Sequence, residues 1–266
     1  MTPLAFVAPN LLGPFASGLR DHLARLNHGL MERIVGDDPA GHREALRKLL
    51  RRESPKSVIC VSMRPDAETL AMYRALNVTV VLIDEYADRV ASVSCDNFKG
   101  GYLAGRHLID RGHSRIALIC GRLNRPGSAN ADARRDGLRK ALAEAHGSLL
   151  NVDCWEVDDY SEDDGVEWHH HRPPDSTAVF CAAGDRCASG VMSAAAKLGM
   201  KIPKDLAIVG FDDSAIAGVL GLTTIRQPLK EMSETAYRMA VIEPSRTLAR
   251  PERVVLAPEL VLRETT

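Results

Sequence analysis

The sequence lacks the features that mark nucleic-acid-binding, exported and membrane-spanning chains. Its 266 residues include 34 Lys and Arg against 35 Asp and Glu, so no basic excess is available to neutralise nucleic-acid phosphates. The N-terminus has no basic start followed by a long apolar core, and no apolar run is long enough to cross a bilayer. We therefore expect a soluble, cytoplasmic chain without a DNA-binding surface of its own.

Signals for disulfides, metals and cofactors are equally sparse. Six cysteines occur without a C-x-x-C pair, and Cys60, Cys120 and Cys181 fall within apolar runs typical of strands, which fits a reducing compartment. No G-x-G-x-x-G segment follows a strand, so no dinucleotide cofactor is expected. Residues 168–172 (WHHHR) offer three imidazoles, but adjacent histidines in an extended loop do not converge easily on one ion. We predict a solvated loop there, with no metal site and no cofactor.

Short apolar runs alternate with helical patterns along the whole chain. The first pairs are residues 4–8 with 15–26 and residues 31–35 with 39–52, and a second series starts with a strand over 115–120. This alternation is typical of doubly wound sheets, in which a helix follows each parallel strand. A chain of 266 residues suits two cores of ordinary size. We therefore predict two α/β lobes of the same kind, with a hinge between them because no Gly/Ser linker is present.

One apolar run ends on two adjacent carboxylates. Residues 208–211 (IVGF) predict a buried strand, and Asp212 and Asp213 follow at its carboxyl end, the edge where open α/β sheets bind ligands. Residues 222–227 (LTTIRQ) predict another strand, which Pro228 stops before a helix. Together these segments indicate a ligand-binding edge beside a crossover between the lobes.

The ordered set of motifs resembles the effector-binding region of LacI/GalR-type bacterial transcriptional regulators. The resemblance covers essentially the whole chain and is carried by residues 96–97 (DN), 101–102 (GY), 107–108 (HL), 112–113 (GH), Arg134 with Gly137, 209–213 (VGFDD), 222–228 (LTTIRQP) and 259–266 (ELVLRETT).

The resemblance implies two Rossmann-like parallel-sheet lobes of periplasmic-binding-protein-like type I architecture, joined by three crossovers. We expect residues 1–113 and 227–250 in the N-terminal lobe and residues 114–226 and 251–266 in the C-terminal lobe. Regulators of this family also carry an N-terminal helix-turn-helix headpiece and a hinge helix. Because this chain starts where those segments end, we expect the headpiece to be absent from it. The resemblance also implies side-by-side homodimerisation.

Candidate ligand contacts follow from residue chemistry together with the resemblance. Carboxylates and a guanidinium supply the strong charge-assisted hydrogen bonds that hold a polyhydroxylated ligand, and an aromatic ring can pack on the apolar face of a sugar. In the resembled family the cleft between the lobes is lined by such groups. The predicted contacts are Asn10, Phe15, Asp96, Arg134, Tyr160, Asp212 and Gln227, and Ser62 or Arg64 is a further candidate for the first lobe.

Other roles for these residues remain open at the level of sequence. Asp96, Arg134 and Asp212 could instead form an ion pair between the lobes or cap a turn, and Tyr160 could be a surface aromatic. Structural roles are predicted for Asp213, Gly112, His113 and Arg263.

One departure from the family lies before the helix that starts near Arg186. Gly184 stands where relatives often carry an asparagine that hydrogen-bonds the ligand, and Asp185 is predicted to be the N-cap of the following helix. Sugar specificity therefore cannot be transferred from a relative.

Three functions fit this sequence to different degrees. The favoured one is the ligand-sensing and dimerisation domain of a LacI-type regulator, which binds a small, carbohydrate-like effector and thereby controls DNA binding through the headpiece. A periplasmic solute-binding protein of a transporter is the alternative, and it would need an export signal. An enzyme is not expected, because no nucleophile and base are spaced for catalysis.

Overall fold

The alternating pattern folds into two α/β units, each with its own six-stranded sheet. The structure is a computed structural model that describes residues 3–36, 38–124, 127–146, 152–244 and 251–266. One unit comprises Met1–Cys95 with Pro228–Leu256, and the other comprises Asp96–Gln227 with Ala257–Thr266. The chain thus passes between the units three times, which confirms the predicted number of crossovers.

The elements follow one another as the sequence predicts for doubly wound sheets. The first segment contains β1 (Leu4–Pro9), α1 (Gly13–Leu26), β2 (Met31–Val35), α2 (Pro39–Glu53), β3 (Ser57–Val61), α3 (Ala67–Ala75), β4 (Thr79–Ile83) and β5 (Ala91–Cys95). The second contains α4 (Asn97–Asp110), β6 (Ile116–Gly121), α5 (Ala129–His146), β7 (Cys154–Val157), α6 (Glu162–His171), β8 (Ala178–Cys181), α7 (Asp185–Lys197), β9 (Ala207–Asp212), α8 (Ala215–Val219) and β10 (Thr224–Arg226). The last comprises α9 (Leu229–Tyr237), a π-helical turn over Arg238–Ile242, β11 (Arg253–Leu256) and β12 (Glu259–Val261).

The two sheets share one topology. The first has the strand order β11-β5-β4-β3-β1-β2 with parallel pairs throughout. The second has the order β12-β10-β9-β8-β6-β7, and only β12 runs antiparallel to its neighbour. The strand order reverses between β1 and β3 in the first sheet and between β6 and β8 in the second. Doubly wound sheets bind their ligands where the strand order reverses, just outside the carboxyl ends of the strands.

Both faces of each sheet are buried beneath helices, which explains why inner strands such as β1, β6 and β8 are apolar without alternation. In β6, Leu118 and Cys120 pack into one core cluster of the second unit, whereas Ile119 packs into the other. Because successive side chains of a strand point to opposite faces, both faces must be apolar in a sheet that is covered on both sides.

Close helix pairs in the second unit depend on glycine. A Cβ atom at Gly101 of α4 would lie 1.9 Å from the carbonyl oxygen of Arg134, and one at Gly137 of α5 would lie 2.0 Å from that of Phe98. Gly165 of α6 and Gly190 of α7 make equally close approaches to the backbone of the opposite helix. The helices of each pair therefore pack backbone to backbone, which fixes the position of α5 relative to α4.

The unit boundaries differ from the predicted ones in three places, one of which is Gln227, which belongs to the second unit. Residues 96–113 belong to the second unit, because α4 packs along α5 rather than against the first sheet. Residues 251–256 belong to the first unit, because β11 pairs in parallel with β5. The sequence pattern could not predict which sheet β11 joins, because the residues of a single strand do not indicate the strand with which it pairs.

The predicted loop over residues 168–172 is helical as far as His171. Residues 168–171 lie in α6, where Trp168 is buried in the core and His171 stacks on Trp155 with a ring-centroid distance of 4.1 Å. Ser161 and Asp164 form a capping box that starts this helix, and the histidines occupy its last turn. Residues 10–15 form a 3-10 helix, Asn10–Leu12, followed directly by α1. In the described part of the chain, no helix has the length and apolarity needed to span a membrane.

Candidate ligand-binding site

Polar side chains gather at the carboxyl edge of the second sheet. Asp212 is the last residue of β9, Ala182 directly follows β8, and Gly121 ends β6. Arg134, from the second turn of α5, reaches this edge and donates from Nη1 to the Ala182 carbonyl oxygen at 2.7 Å. The cluster thus lies at the strand ends nearest the reversal in strand order, where the topology favours ligand binding.

Asp212 is held in an unusual backbone conformation. Its φ is +108° and that of Asp213 is +54°, values that non-glycine residues rarely adopt and that concentrate at functional sites. Gln227 donates from Nε2 to Asp212 Oδ1 at 2.7 Å. Burial raises the pKa of Asp212, while the positive charge of Arg134 and the Gln227 hydrogen bond act in the opposite direction. The result is a carboxylate that is partly desolvated and already oriented.

Gly184 leaves room for this carboxylate. A Cβ atom at Gly184 would lie 3.0 Å from Asp212 Oδ2, and the φ of Gly184 is +118°, which disfavours any other residue. Glycine at position 184, where the resembled family often has asparagine, therefore leaves space for the Asp212 carboxylate.

Arg134 is fixed by three groups of its own unit. Its Nε donates to Asn97 Oδ1 at 2.7 Å, and its guanidinium carbon lies 3.6 Å from the centroid of the Phe211 ring. Asn97 is itself buried and donates from Nδ2 to Asn130 Oδ1 at 3.0 Å. Together with the Ala182 carbonyl, Asn97 and Phe211 hold the guanidinium of Arg134 beside Asp212. This arrangement does not require a direct ion pair between Arg134 and Asp212.

Gln227 also has a feature expected of a ligand-binding residue, an unsatisfied buried amide oxygen. Its side chain is buried, and its Oε1 has no hydrogen-bond partner, although a buried amide oxygen is normally satisfied.

Asp185 lies behind Asp212 and has a role that differs from the predicted one. The N-cap of α7 is Gly184, not Asp185. The Asp185 carboxylate accepts from the Ser214 backbone N–H at 2.7 Å, from Ser214 Oγ at 2.9 Å and from Thr224 Oγ1 at 2.6 Å. Burial, followed by repulsion from Asp212, raises the pKa of Asp185 to about 7. Asp185 therefore joins β9, α8 and β10 beneath the candidate site.

Tyr160 lies at the same edge of the second sheet as Asp212. A Cβ atom at Gly121 would lie 1.9 Å from the Tyr160 hydroxyl, so the ring covers the end of β6. Tyr160 has a φ of +53° and packs against the core cluster on that face. Asp96 instead caps α4, accepting from the Lys99 N–H at 2.8 Å, which is the alternative role left open by the sequence. Ligand contact by either residue stays a prediction.

The first unit contributes less of the predicted set. Asn10 is exposed and follows β1 directly, at the carboxyl edge of the first sheet. Phe15 packs into the core of that unit with Leu19, because α1 starts at Gly13 and turns Phe15 inward. Ligand contact by Phe15 stays a prediction. Ser62 and Asp84 follow β3 and β4, and Ser62 Oγ donates to Asp84 Oδ2 at 3.4 Å. Asp84 was missed, although it follows an apolar run as Asp212 does.

The structural roles predicted for several neighbours are confirmed. Asp213 forms ion pairs with Arg226 at 2.7 Å and with Arg263 at 2.6 Å, whereas Asp212 accepts from Gln227, so the two adjacent carboxylates have different partners. Gly112 has a φ of +90° directly after the end of α4, as expected of a left-handed helix end. Among the described residues, no group of three or more His, Cys, Asp or Glu side chains is arranged to hold a metal ion.

Comparison with known proteins identifies the family. Residues 106–266 match the model described as a periplasmic binding protein-like domain. The HTH-type transcriptional repressor PurR of Yersinia enterocolitica is 36% identical over 201 residues, which are 71% of this chain and 56% of that protein. PurR of Klebsiella pneumoniae is 31% identical over 241 residues, 86% of this chain and 68% of that protein. The chain belongs to the LacI family.

A solved LacI-family structure supports the same fold. The regulator from Enterococcus faecium with bound ribose superposes with a TM-score of 0.86 at 24% identity, covering 99% of this chain and 98% of that one. Both curated relatives are named as transcriptional repressors. The chain spans 56% of the length of the Yersinia repressor, so part of that protein has no counterpart in the match.

Proposed function

We propose that the chain is the effector-sensing domain of a LacI-type transcriptional regulator. The observation that carries this proposal is the group formed by Arg134, Asp212 and Gln227 at the carboxyl edge of the second sheet. It combines a fixed cation, an oriented carboxylate and a buried amide oxygen without a partner. Such a set binds a small neutral ligand through several directed hydrogen bonds and needs no reacting group.

The proposed effector is a carbohydrate or a molecule of similar size and hydroxyl content. Asp212 would accept hydrogen bonds from ligand hydroxyls, Arg134 would donate to them, and the ring of Tyr160 would pack on an apolar ring face. The Enterococcus faecium regulator with bound ribose supports this class through fold alone. Asn10 and Asp96 are further contacts in this proposal.

Regulation would work through a difference in affinity. An effector shifts a regulator between two states only as far as it binds one state more tightly than the other. We propose that the regulator acts as a homodimer in the cytoplasm and contacts operator DNA through a headpiece of the kind named in the curated repressors. These relatives favour a regulator over a solute-binding protein of a transporter.

A thermal-shift screen of pentoses, hexoses and polyols tests the ligand class. A ligand at a hundredfold excess over its Kd stabilises the folded state by about 2.7 kcal/mol, which is easily measured. The stabilising ligand is then tested on Asp212→Asn and Arg134→Gln. Each variant is expected to lose most of the shift while keeping a wild-type circular dichroism spectrum, because each removes a ligand-facing group.

A matched control comes from the opposite end of the same sheet. Asp175 is an exposed carboxylate paired with Arg115, directly before the start of β6. Asp175→Asn makes the same chemical change as Asp212→Asn and should leave the ligand-induced shift unchanged. A full shift in both site variants would show that the ligand binds elsewhere.

A further inference from the structure

The backbone that carries the Asp212 carboxylate is unfavourable over two residues in succession. The φ angles of Asp212 and Asp213 are +108° and +54°, a range that residues with a Cβ atom rarely adopt. Such conformations cost free energy and persist only where the surrounding contacts hold them in place. The contacts of this short segment should therefore explain why the Asp212 carboxylate lies where it does.

Asp213 is paired with two arginines from separate elements. Arg226, the last residue of β10, donates from Nε to Asp213 Oδ2 at 2.7 Å. Arg263, two residues after β12, donates from Nη2 to Asp213 Oδ1 at 2.6 Å. Each carboxylate oxygen thus has its own charged donor. The Asp213 side chain is only 10% exposed, so water and salt screen these pairs less than they screen pairs at the surface.

Arg263 is itself held by the segment that leads into β10. Its Nη1 donates to the Leu222 carbonyl oxygen at 2.8 Å, and its backbone N–H donates to Thr223 Oγ1 at 3.0 Å. The arginine is therefore ordered by contacts other than its ion pair. A side chain that is already ordered loses little conformational entropy on pairing, so its pair with Asp213 restrains the backbone better than a pair of mobile surface groups would.

The residues on either side of Asp213 have other restraints. The backbone N–H and Oγ of Ser214 donate to the Asp185 carboxylate at 2.7 Å and 2.9 Å. Gln227 donates to Asp212 Oδ1 at 2.7 Å. Ser214 restrains the end of the segment and Gln227 the Asp212 side chain, so the two arginines supply the side-chain restraint at Asp213 itself.

We propose that Asp213 is a positioning residue for effector binding. Its pairs with Arg226 and Arg263 keep the backbone at positive φ and so place the Asp212 carboxylate where it meets the effector. This inference rests on the proposed function, in which Asp212 accepts hydrogen bonds from effector hydroxyls, and it does not require Asp213 to touch the effector. Without the two pairs, the segment relaxes toward negative φ and the Asp212 side chain loses its hydrogen bond from Gln227.

An ion pair that only stabilises the fold would give a different result when it is removed. Its loss would lower the Tm without a selective effect on the hydrogen bond between Gln227 and Asp212. Arg106 and Asp110 of α4 provide the matched pair, because an arginine Nη2 again lies 2.6 Å from an aspartate Oδ1. That pair joins two residues of one helix and has no printed contact with the segment at Asp213, so Arg106→Gln is the control.

The first test needs no effector and follows the side-chain amide of Gln227 by NMR. In the wild type, the hydrogen bond to Asp212 should shift one amide proton downfield and slow its exchange with water. In Arg263→Gln, exchange should be about tenfold faster, because opening of the segment no longer breaks this ion pair. Arg226→Gln should act in the same direction, whereas Arg106→Gln should leave the exchange unchanged. Arg263→Lys, which keeps the charge, should restore part of the protection.

The second test is a double-mutant cycle read by binding of D-ribose, D-glucose and the other sugars and polyols of the thermal-shift screen. Arg263→Gln should weaken binding about tenfold when Asp212 is present. In the Asp212→Asn background, the same Arg263→Gln should have no further effect, because the carboxylate that it positions is gone. A merely structural arginine would weaken binding equally in both backgrounds.

Two results would overturn the proposal. One is unchanged exchange of the Gln227 amide in Arg263→Gln and Arg226→Gln, and the other is an equal loss of affinity with and without the Asp212 carboxylate. Because the Arg226 side chain is half-exposed, Arg226→Gln is expected to fold even if Arg263→Gln does not. A screen in which no sugar or polyol binds would count against the proposed function, whereas the exchange of the Gln227 amide decides the positioning role by itself.

Discussion

Replacement of Gly101 by alanine tests the packing that places Arg134. A Cβ atom at Gly101 would lie 1.9 Å from the carbonyl oxygen of Arg134 and 2.7 Å from its carbonyl carbon. These are backbone atoms, so no side-chain rotation relieves the clash, and α4 and α5 must separate by about 1 Å. Inserting a methyl group into a tight contact costs about 1–3 kcal/mol. Alanine is favoured over glycine inside a helix by about 1 kcal/mol, which offsets part of that cost.

Because the clash is with backbone atoms, the upper part of that range applies, about 2–3 kcal/mol, and the expected net effect is a loss of about 1–2 kcal/mol in the free energy of unfolding. For a chain of this size, each 1 kcal/mol lowers the Tm by about 2–4 °C, which differential scanning calorimetry resolves. A shift of α5 also moves the guanidinium of Arg134 away from the Ala182 carbonyl, now at 2.7 Å, so effector affinity should fall as well.

Gly218→Ala is the matched control. Gly218 lies in α8, and a Cβ atom there would meet nothing within 4 Å. The same substitution should leave the Tm unchanged or raise it, because only the helix preference operates. If Gly101→Ala also had an unchanged or higher Tm, the backbone contact between α4 and α5 would not be as close as described.

Two further predictions concern buried side chains of the second unit. The pKa of Asp185 is raised to about 7, so the folded state holds its proton to higher pH than the unfolded state does. The contribution of Asp185 to stability is therefore greatest below the pKa of this carboxyl in the unfolded chain, and it is lost as the pH rises through about 7. Urea unfolding across this pH range should show the decline in the free energy of unfolding. Asp185→Asn should make that free energy less dependent on pH. Trp168→Ala removes a side chain that is only 1% exposed and should cost about 3–5 kcal/mol, seen as a large drop in the urea midpoint; a change below 1 kcal/mol would contradict its place in the core.

The strand ends were predictable because they follow from local pattern. An apolar run that stops on a polar residue marks both the strand and the edge of the sheet, which is how Asp212 was found and how Asp84 could have been found. The loop predicted over residues 168–172 was wrong, because the histidines concealed a helix whose buried residue is Trp168. The packing of Phe15 in the core could not be predicted, because it depends on where α1 starts, which Gly13 and Pro14 did not reveal.

The sequence by itself determined the fold class and the order of the elements. These depend on periodicity and on neighbouring residues, which a single sequence displays. Only the tertiary structure decided that Arg134 rests on Asn97 and Phe211 and that Asp185 accepts hydrogen bonds from Ser214 and Thr224 beside the site. Each of these contacts joins residues far apart in the chain, and such pairs are selected by strand register and helix packing rather than by local pattern.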